Sequence, residues 1–129
     1  MAKPKLSKKI LLVEDDPDQI YLYSTKLELE GFQVVIAKNG REGIEKAKSE
    51  KPNLILLDLI MEEMDGIEAL EILKNTNEAK TIPTILLTNL IKKDLMDKAE
   101  KLGAIGFLSK SEVLPREIVS RIKTILRIK

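Results

Sequence analysis

Five side chains in this sequence could do chemistry together: the carboxylates of Asp15, Asp16 and Asp58, the hydroxyl of Thr88 and the ammonium of Lys110. Each lies at the end of a short run of Ile, Leu and Val. Ile10–Val13 precedes Glu14-Asp15-Asp16, Leu54–Leu57 precedes Asp58, Ile82–Leu87 precedes Thr88-Asn89, and Ala104–Leu108 comes shortly before Lys110. Carboxylates brought within a few ångströms repel one another strongly, so their convergence calls for a cation. An all-oxygen site with few protein ligands and room for water suits Mg²⁺ or Mn²⁺ better than zinc. The backbone carbonyl of Ile60 could add a ligand, Lys110 a positive charge on a long stem, and Thr88 a hydrogen-bond donor. Together they form a pocket for a tetrahedral, doubly charged group, with one carboxylate left as nucleophile. Taken singly, each residue has a plainer role. The acids ahead of Pro17 can cap a helix and favour its positive end, Asp58 can end a turn, Thr88 can serve strand propensity, and Lys110 can be solvated. Their joint placement at successive strand ends is what favours the chemical reading.

The elements that must position them follow from the spacing of apolar residues. The strand-sized runs are Ile10–Val13, Phe32–Ile36, Leu54–Leu57, Ile82–Leu87 and Ala104–Leu108. Between them, Ile20, Tyr23 and Leu27 share a helical face, as do Ile67, Leu70 and Leu73, then Leu95, Ala99 and Leu102, and last Ile118, Ile122 and Ile125. The stretch around Ile44 and Ala47 is a weaker helix of the same kind. Pro17 opens the first helix after a capping Asp, Gly31 and Gly103 end the first and fourth, and Pro115 opens the fifth. Continuous apolar strands imply a parallel sheet covered on both faces. The expected fold is a doubly wound, three-layer α/β sandwich of five strand–helix units, in sheet order 2-1-3-4-5. Its functional crevice would lie beyond the carboxyl ends of the strands, where the winding reverses.

Composition narrows the function classes. With 129 residues, one domain is expected: a basic tail over 1–8, a single domain over 9–129 and no output domain. The net charge of +1, from 22 basic and 21 acidic residues, argues against nucleic-acid or membrane-surface binding driven by bulk charge. With neither Cys nor His, thiolate sites, disulfides and Ser-His or Cys-His nucleophiles are excluded. No apolar run reaches membrane-spanning length and no signal-peptide pattern follows the N-terminal lysines, so the cytoplasm is the expected compartment.

The stretches ILLVEDD, LILLDLIMEEMDG, IPTILLTN and GFLSK, in this order and spacing, resemble the response-regulator receiver domain of two-component signalling across essentially the whole chain. The resemblance implies a flavodoxin-like fold, with Asp58 as phosphoacceptor, Asp15 and Asp16 as Mg²⁺ ligands, and Thr88 and Lys110 against the phosphoryl oxygens. Phe107 would be the aromatic switch, and the fourth helix, fifth strand and fifth helix the partner surface. The implied donor is a sensor histidine kinase or histidine phosphotransfer protein, and the target a separate effector protein. The chain would be a monomer or a phosphorylation-dependent dimer. Its signalling role would be no enzyme's beyond self-phosphorylation and dephosphorylation. Three positions depart from the family's habit: Glu62 and Ser111 stand where proline is usual, and Asn89 replaces a small residue. A proline after the lysine is typically joined by a cis bond, a geometry costly for Ser111. Ile60 and Leu90 flank the expected path of a hydrolytic water, and neither can orient it, which predicts a long-lived phosphorylated state. The alternative is a pseudo-receiver acting as a constitutive interaction module. A small Asp-nucleophile phosphohydrolase lacks a visible general acid and cap. A flavin module would meet three acids where its phosphate should bind.

Overall fold

Residues 7–59, 61, 65–89 and 92–128 are described by a computed structural model. The elements alternate along the chain as β1 (Lys9–Val13), α1 (Pro17–Leu29), β2 (Gln33–Ala37), α2 (Gly40–Glu50), β3 (Leu54–Leu57), α3 (Gly66–Lys74), β4 (Thr84–Thr88), α4 (Lys93–Leu102), β5 (Gly106–Ser109) and α5 (Pro115–Ile125). All strand pairs are parallel and the sheet order is β2-β1-β3-β4-β5, as expected. The winding reverses between β1 and β3, and that is where the acids lie.

Alternation along each strand divides the core in two. Leu11, Val13, Ile55, Leu57 and Leu86 pack with Ala47 of α2, Leu70 and Leu73 of α3, and Met96 and Ala99 of α4. Ile10, Leu12, Leu54, Leu56, Ile85 and Leu87 pack on the other face with Tyr23 and Leu27 of α1 and Ile118 and Ile122 of α5. β1 and β3 are buried on both sides, and each such Leu or Ile contributes roughly 1.5–3 kcal/mol from burial.

Local chemistry fixes the helix ends. Asp16, Asn39 and Asp65 accept hydrogen bonds from the N–H groups of Asp18 (2.9 Å), Glu42 (2.8 Å) and Glu68 (2.8 Å), starting α1, α2 and α3. Gly103 closes α4 at φ 110°, a left-handed conformation that a side chain would strain. β4 and β5 begin two residues later than the apolar runs suggested. Pro83 has no N–H for a ladder, and Ala104 is still engaged with Ala99 of α4 through its N–H (3.0 Å). Among the described residues no helix is long and apolar enough to cross a membrane.

Candidate functional site

The ladder continues one residue past several strands. The N–H of Glu14 donates to Ala37 O (2.9 Å), that of Asp58 to Val13 O (3.1 Å) and that of Lys110 to Thr88 O (3.0 Å). Strand alternation therefore extends to these residues. Glu14 continues the face of Ile10 and Leu12, Asp58 that of Leu54 and Leu56, and Lys110 that of Leu108, all toward α1 and α5. Three elements thus deliver two acids and an ammonium to one point.

There, Lys110 Nζ donates to Asp58 Oδ2 (3.1 Å) and to Glu14 Oε1. Asp58 is only 6% exposed and Glu14 only 1%. Burial pushes the Glu14 carboxyl above the ordinary carboxylate value; the Lys110 hydrogen bond opposes that push and the Asp58 charge adds to it. For Lys110 burial works against the charge, but the Glu14 hydrogen bond and the charges of Asp58 and Glu14 outweigh it, holding the ammonium above the usual lysine value. Lys110 is therefore a fixed cation at neutral pH.

Glu14, Asp15 and Asp58 each present a carboxylate oxygen within 4.8 Å of the others. Three carboxylates and one ammonium leave a formal charge of −2, and the donors are all hard oxygens, so the set fits a hard dication. Of the expected pair Asp15 and Asp16, the structure brings Asp15 into this cluster. Asp16 is exposed and its Oδ1 caps α1, whereas Glu14 takes the buried place in the cluster. The sequence did carry the signal, since Glu14 sits two residues beyond Leu12 on the same strand face. Ile60, the expected carbonyl ligand, lies outside the described residues, as do Glu62 and Leu90.

Thr88 closes β4 fully buried, on the opposite strand face with Leu86. Phe107, paired with Leu86 across the ladder, is 46% exposed. It borders a groove of about 320 Å³ with Leu86, Met96, Ala99 and Ala104, between β5 and α4. No peptide bond among the described residues is cis, Lys110–Ser111 included, and the two hydroxyls of Ser109 and Ser111 lie 3.1 Å apart. Asn89, one residue beyond β4, is exposed.

Gly66 sets the position of Asp58 from below. Its N–H donates to Leu59 O (2.9 Å), and a Cβ on it would come within 2.4 Å of Asp58 O and 2.5 Å of Leu59 Cα. Only glycine lets α3 start this close to the end of β3.

Comparison with known proteins agrees with this fold. The response regulator receiver domain family matches residues 10–123. The chain is 37% identical over 124 residues to the alkaline phosphatase synthesis transcriptional regulatory protein PhoP of Bacillus subtilis, covering 95% of this chain and 50% of PhoP. It is 36% identical over 104 residues to Protein PilH of Pseudomonas aeruginosa, covering 79% and 84% of the two chains. The chain thus spans half the length of PhoP but most of PilH. Among solved structures, a CheY-like response regulator receiver domain protein from Methanospirillum hungatei superposes with a TM-score of 0.87 at 31% identity, over 93% of this chain and 94% of that one.

Proposed function

The chain belongs to the response regulator receiver domain family, and on that premise we propose that Asp58 accepts a phosphoryl group from a phosphohistidine donor and that this switches a protein-interaction surface. The observation that carries the reading is the buried Asp58 carboxylate, held 3.1 Å from Lys110 beside two further acids at the reversal of the sheet. A carboxylate oxygen of Asp58 attacks phosphorus in line. The P–N bond to the donor imidazole breaks, its electron pair stays on the ring nitrogen, and that nitrogen takes up a proton from water. Charge on the transferring oxygens is met by Lys110, so the protein contributes position and electrostatics rather than covalent chemistry of its own. Receiver domains hold Mg²⁺ at an acidic pocket. Here Glu14, Asp15 and Asp58 would hold it, and it would supply further positive charge beside the phosphoryl oxygens.

The donor is a sensor histidine kinase or a histidine phosphotransfer protein, and the target a separate effector in the cytoplasm. The switch runs through Thr88, drawn toward a phosphoryl oxygen, and then Phe107, whose exposed ring has the adjoining groove to turn into. A near-complete switch requires the phosphoryl group to favour the active state by about 5 kcal/mol. The groove and the faces of α4, β5 and α5 are the surface that changes.

Incubation with acetyl phosphate and Mg²⁺, read by intact-mass spectrometry, tests the acceptor chemistry. One phosphoryl group should be gained in the presence of Mg²⁺ and none by Asp58→Asn. A folded wild-type protein that gains nothing would instead support a constitutive interaction module, with Asn89 and Ser111 the residues to revert first.

A further inference from the structure

β2 is an outer strand of the sheet, with β1 on one side and no described strand on the other. The N–H of Gln33 donates to Lys8 O (3.0 Å) and Ala37 O accepts from the N–H of Glu14 (2.9 Å), so residues 33, 35 and 37 turn their backbone groups toward β1. Alternation then points the N–H and C=O of Val34 and Ile36 outward, away from the sheet. Such a row of backbone groups is a template for another strand. The segment that presents it, FQVVIA over Phe32–Ala37, is rich in β-branched residues, uncharged and free of Pro and Gly, the composition that self-pairs most readily. One of its outward groups is taken. Lys46, on α2, donates through Nζ to Ile36 O, and Glu42 one turn earlier holds the same ammonium at 2.9 Å. The opposite edge is less open to pairing. β5 is four residues long and begins with Gly106, and the Arg121 guanidinium lies 2.9 Å from where a side chain on that glycine would start.

We propose that the β2 edge is a latent self-association site guarded by Lys46: its ammonium occupies the Ile36 carbonyl, and once it is removed a second copy of this chain adds antiparallel along β2. With Val34 of each copy opposite Ile36 of the other, each such pair exchanges both of its N–H···O bonds across a two-fold axis at Val35. That arrangement needs the Ile36 carbonyl of both copies, and Lys46 holds it in each. It also brings the two Ile36 residues to roughly 8 Å from each other, given about 3.4 Å per residue and about 4.8 Å between strands. Two ammoniums tethered there repel. Glu42 offsets part of that repulsion, so occupancy of the carbonyl is the larger effect. This edge lies at the far side of the sheet from β5, so the guard is independent of the proposed switch surface.

The test is sedimentation velocity over a concentration series on the full chain as wild type, Lys46→Met and Lys46→Arg, with amide hydrogen exchange read residue by residue by NMR. Lys46→Met keeps an unbranched stem and drops the charge. It should self-associate at least about tenfold more tightly than wild type, the scale of one charge-assisted hydrogen bond, while Lys46→Arg stays within about threefold of wild type. The Val34 and Ile36 amides should gain protection as Lys46→Met is concentrated, because they enter the new ladder. A folded Lys46→Met that sediments as wild type does at every concentration overturns the proposal. So does association that leaves both amides unprotected, since it runs through another surface. Should Lys46→Met fail to fold, Lys46→Ala replaces it with the same two readouts.

Discussion

Gly66→Ala perturbs the proposed phosphoacceptor, Asp58, without touching any ionisable group. The added methyl would meet Asp58 O at 2.4 Å and Leu59 Cα at 2.5 Å, both backbone atoms that cannot swing aside. Relief requires α3 to back away from the end of β3 by roughly an ångström, given ordinary carbon contacts near 3.5 Å. Overpacking of this kind costs about 1–3 kcal/mol, and the better helix propensity of alanine returns at most about 1 kcal/mol. A net loss of about 2 kcal/mol in a domain of this size lowers Tm by about 7 °C. The functional effect should be larger than the stability effect, because Asp58 O belongs to the displaced backbone. A misplacement of about 1 Å can cost a reacting group on the order of 100-fold in rate. Thermal unfolding by circular dichroism and the rate of phosphoryl gain from acetyl phosphate, both on Gly66→Ala, check this. A Tm within about 2 °C of wild type together with an unchanged rate would refute the close-approach reasoning.

Asp16→Ala should cost about 1 kcal/mol by removing the cap of α1, while changing Mg²⁺ affinity far less than Asp15→Asn does; equal losses of affinity would make Asp16 a ligand as well. Lys74 donates to Ile82 O (2.8 Å), and burial lowers its pKa from 10.5. Between the lowered folded value and 10.5 the unfolded chain holds more protons, so wild type should gain stability relative to Lys74→Met as pH rises toward 10.5. Parallel denaturant curves show the sign, and a loss over that window would contradict it. The paired change Ile60→Asn with Leu90→Glu should shorten the life of the phosphorylated form, followed by loss of the mass adduct after the phosphodonor is removed; an unaltered decay would remove the water-path argument.

The fold was legible because its signals agree at every level. Apolar runs on β1 and β3 are unbroken, Asp16 and Asp65 cap, Pro17 and Pro115 open helices, and Gly103 closes one. The start of β4 was blurred because Ile82 is apolar and buried without being in the strand, its backbone carbonyl being taken by Lys74 instead. At the site, Asp15, Asp58, Thr88 and Lys110 fell where strand ends were expected. What was not legible is which of Glu14-Asp15-Asp16 joins the cluster, since three successive acids carry no internal mark of which side chains point inward. The answer depends on where β1 stops pairing, and the bond from Glu14 N–H to Ala37 O extends that pairing by one residue. Extended pairing turns Glu14 toward Lys110 and leaves Asp16 to the helix. The tie between Glu14 and Lys110 joins residues 96 positions apart, a contact that periodicity cannot reveal.

The central claim is that Asp58 is the group that carries the phosphoryl. Borohydride reduction of the protein treated with acetyl phosphate and Mg²⁺ converts an acyl phosphate to an alcohol, and peptide mass spectrometry then locates the altered residue. The account predicts a single Mg²⁺-dependent conversion, of Asp58 to homoserine. Conversion at Glu14 or Asp15 instead, or none in a folded protein that binds Mg²⁺, would contradict it.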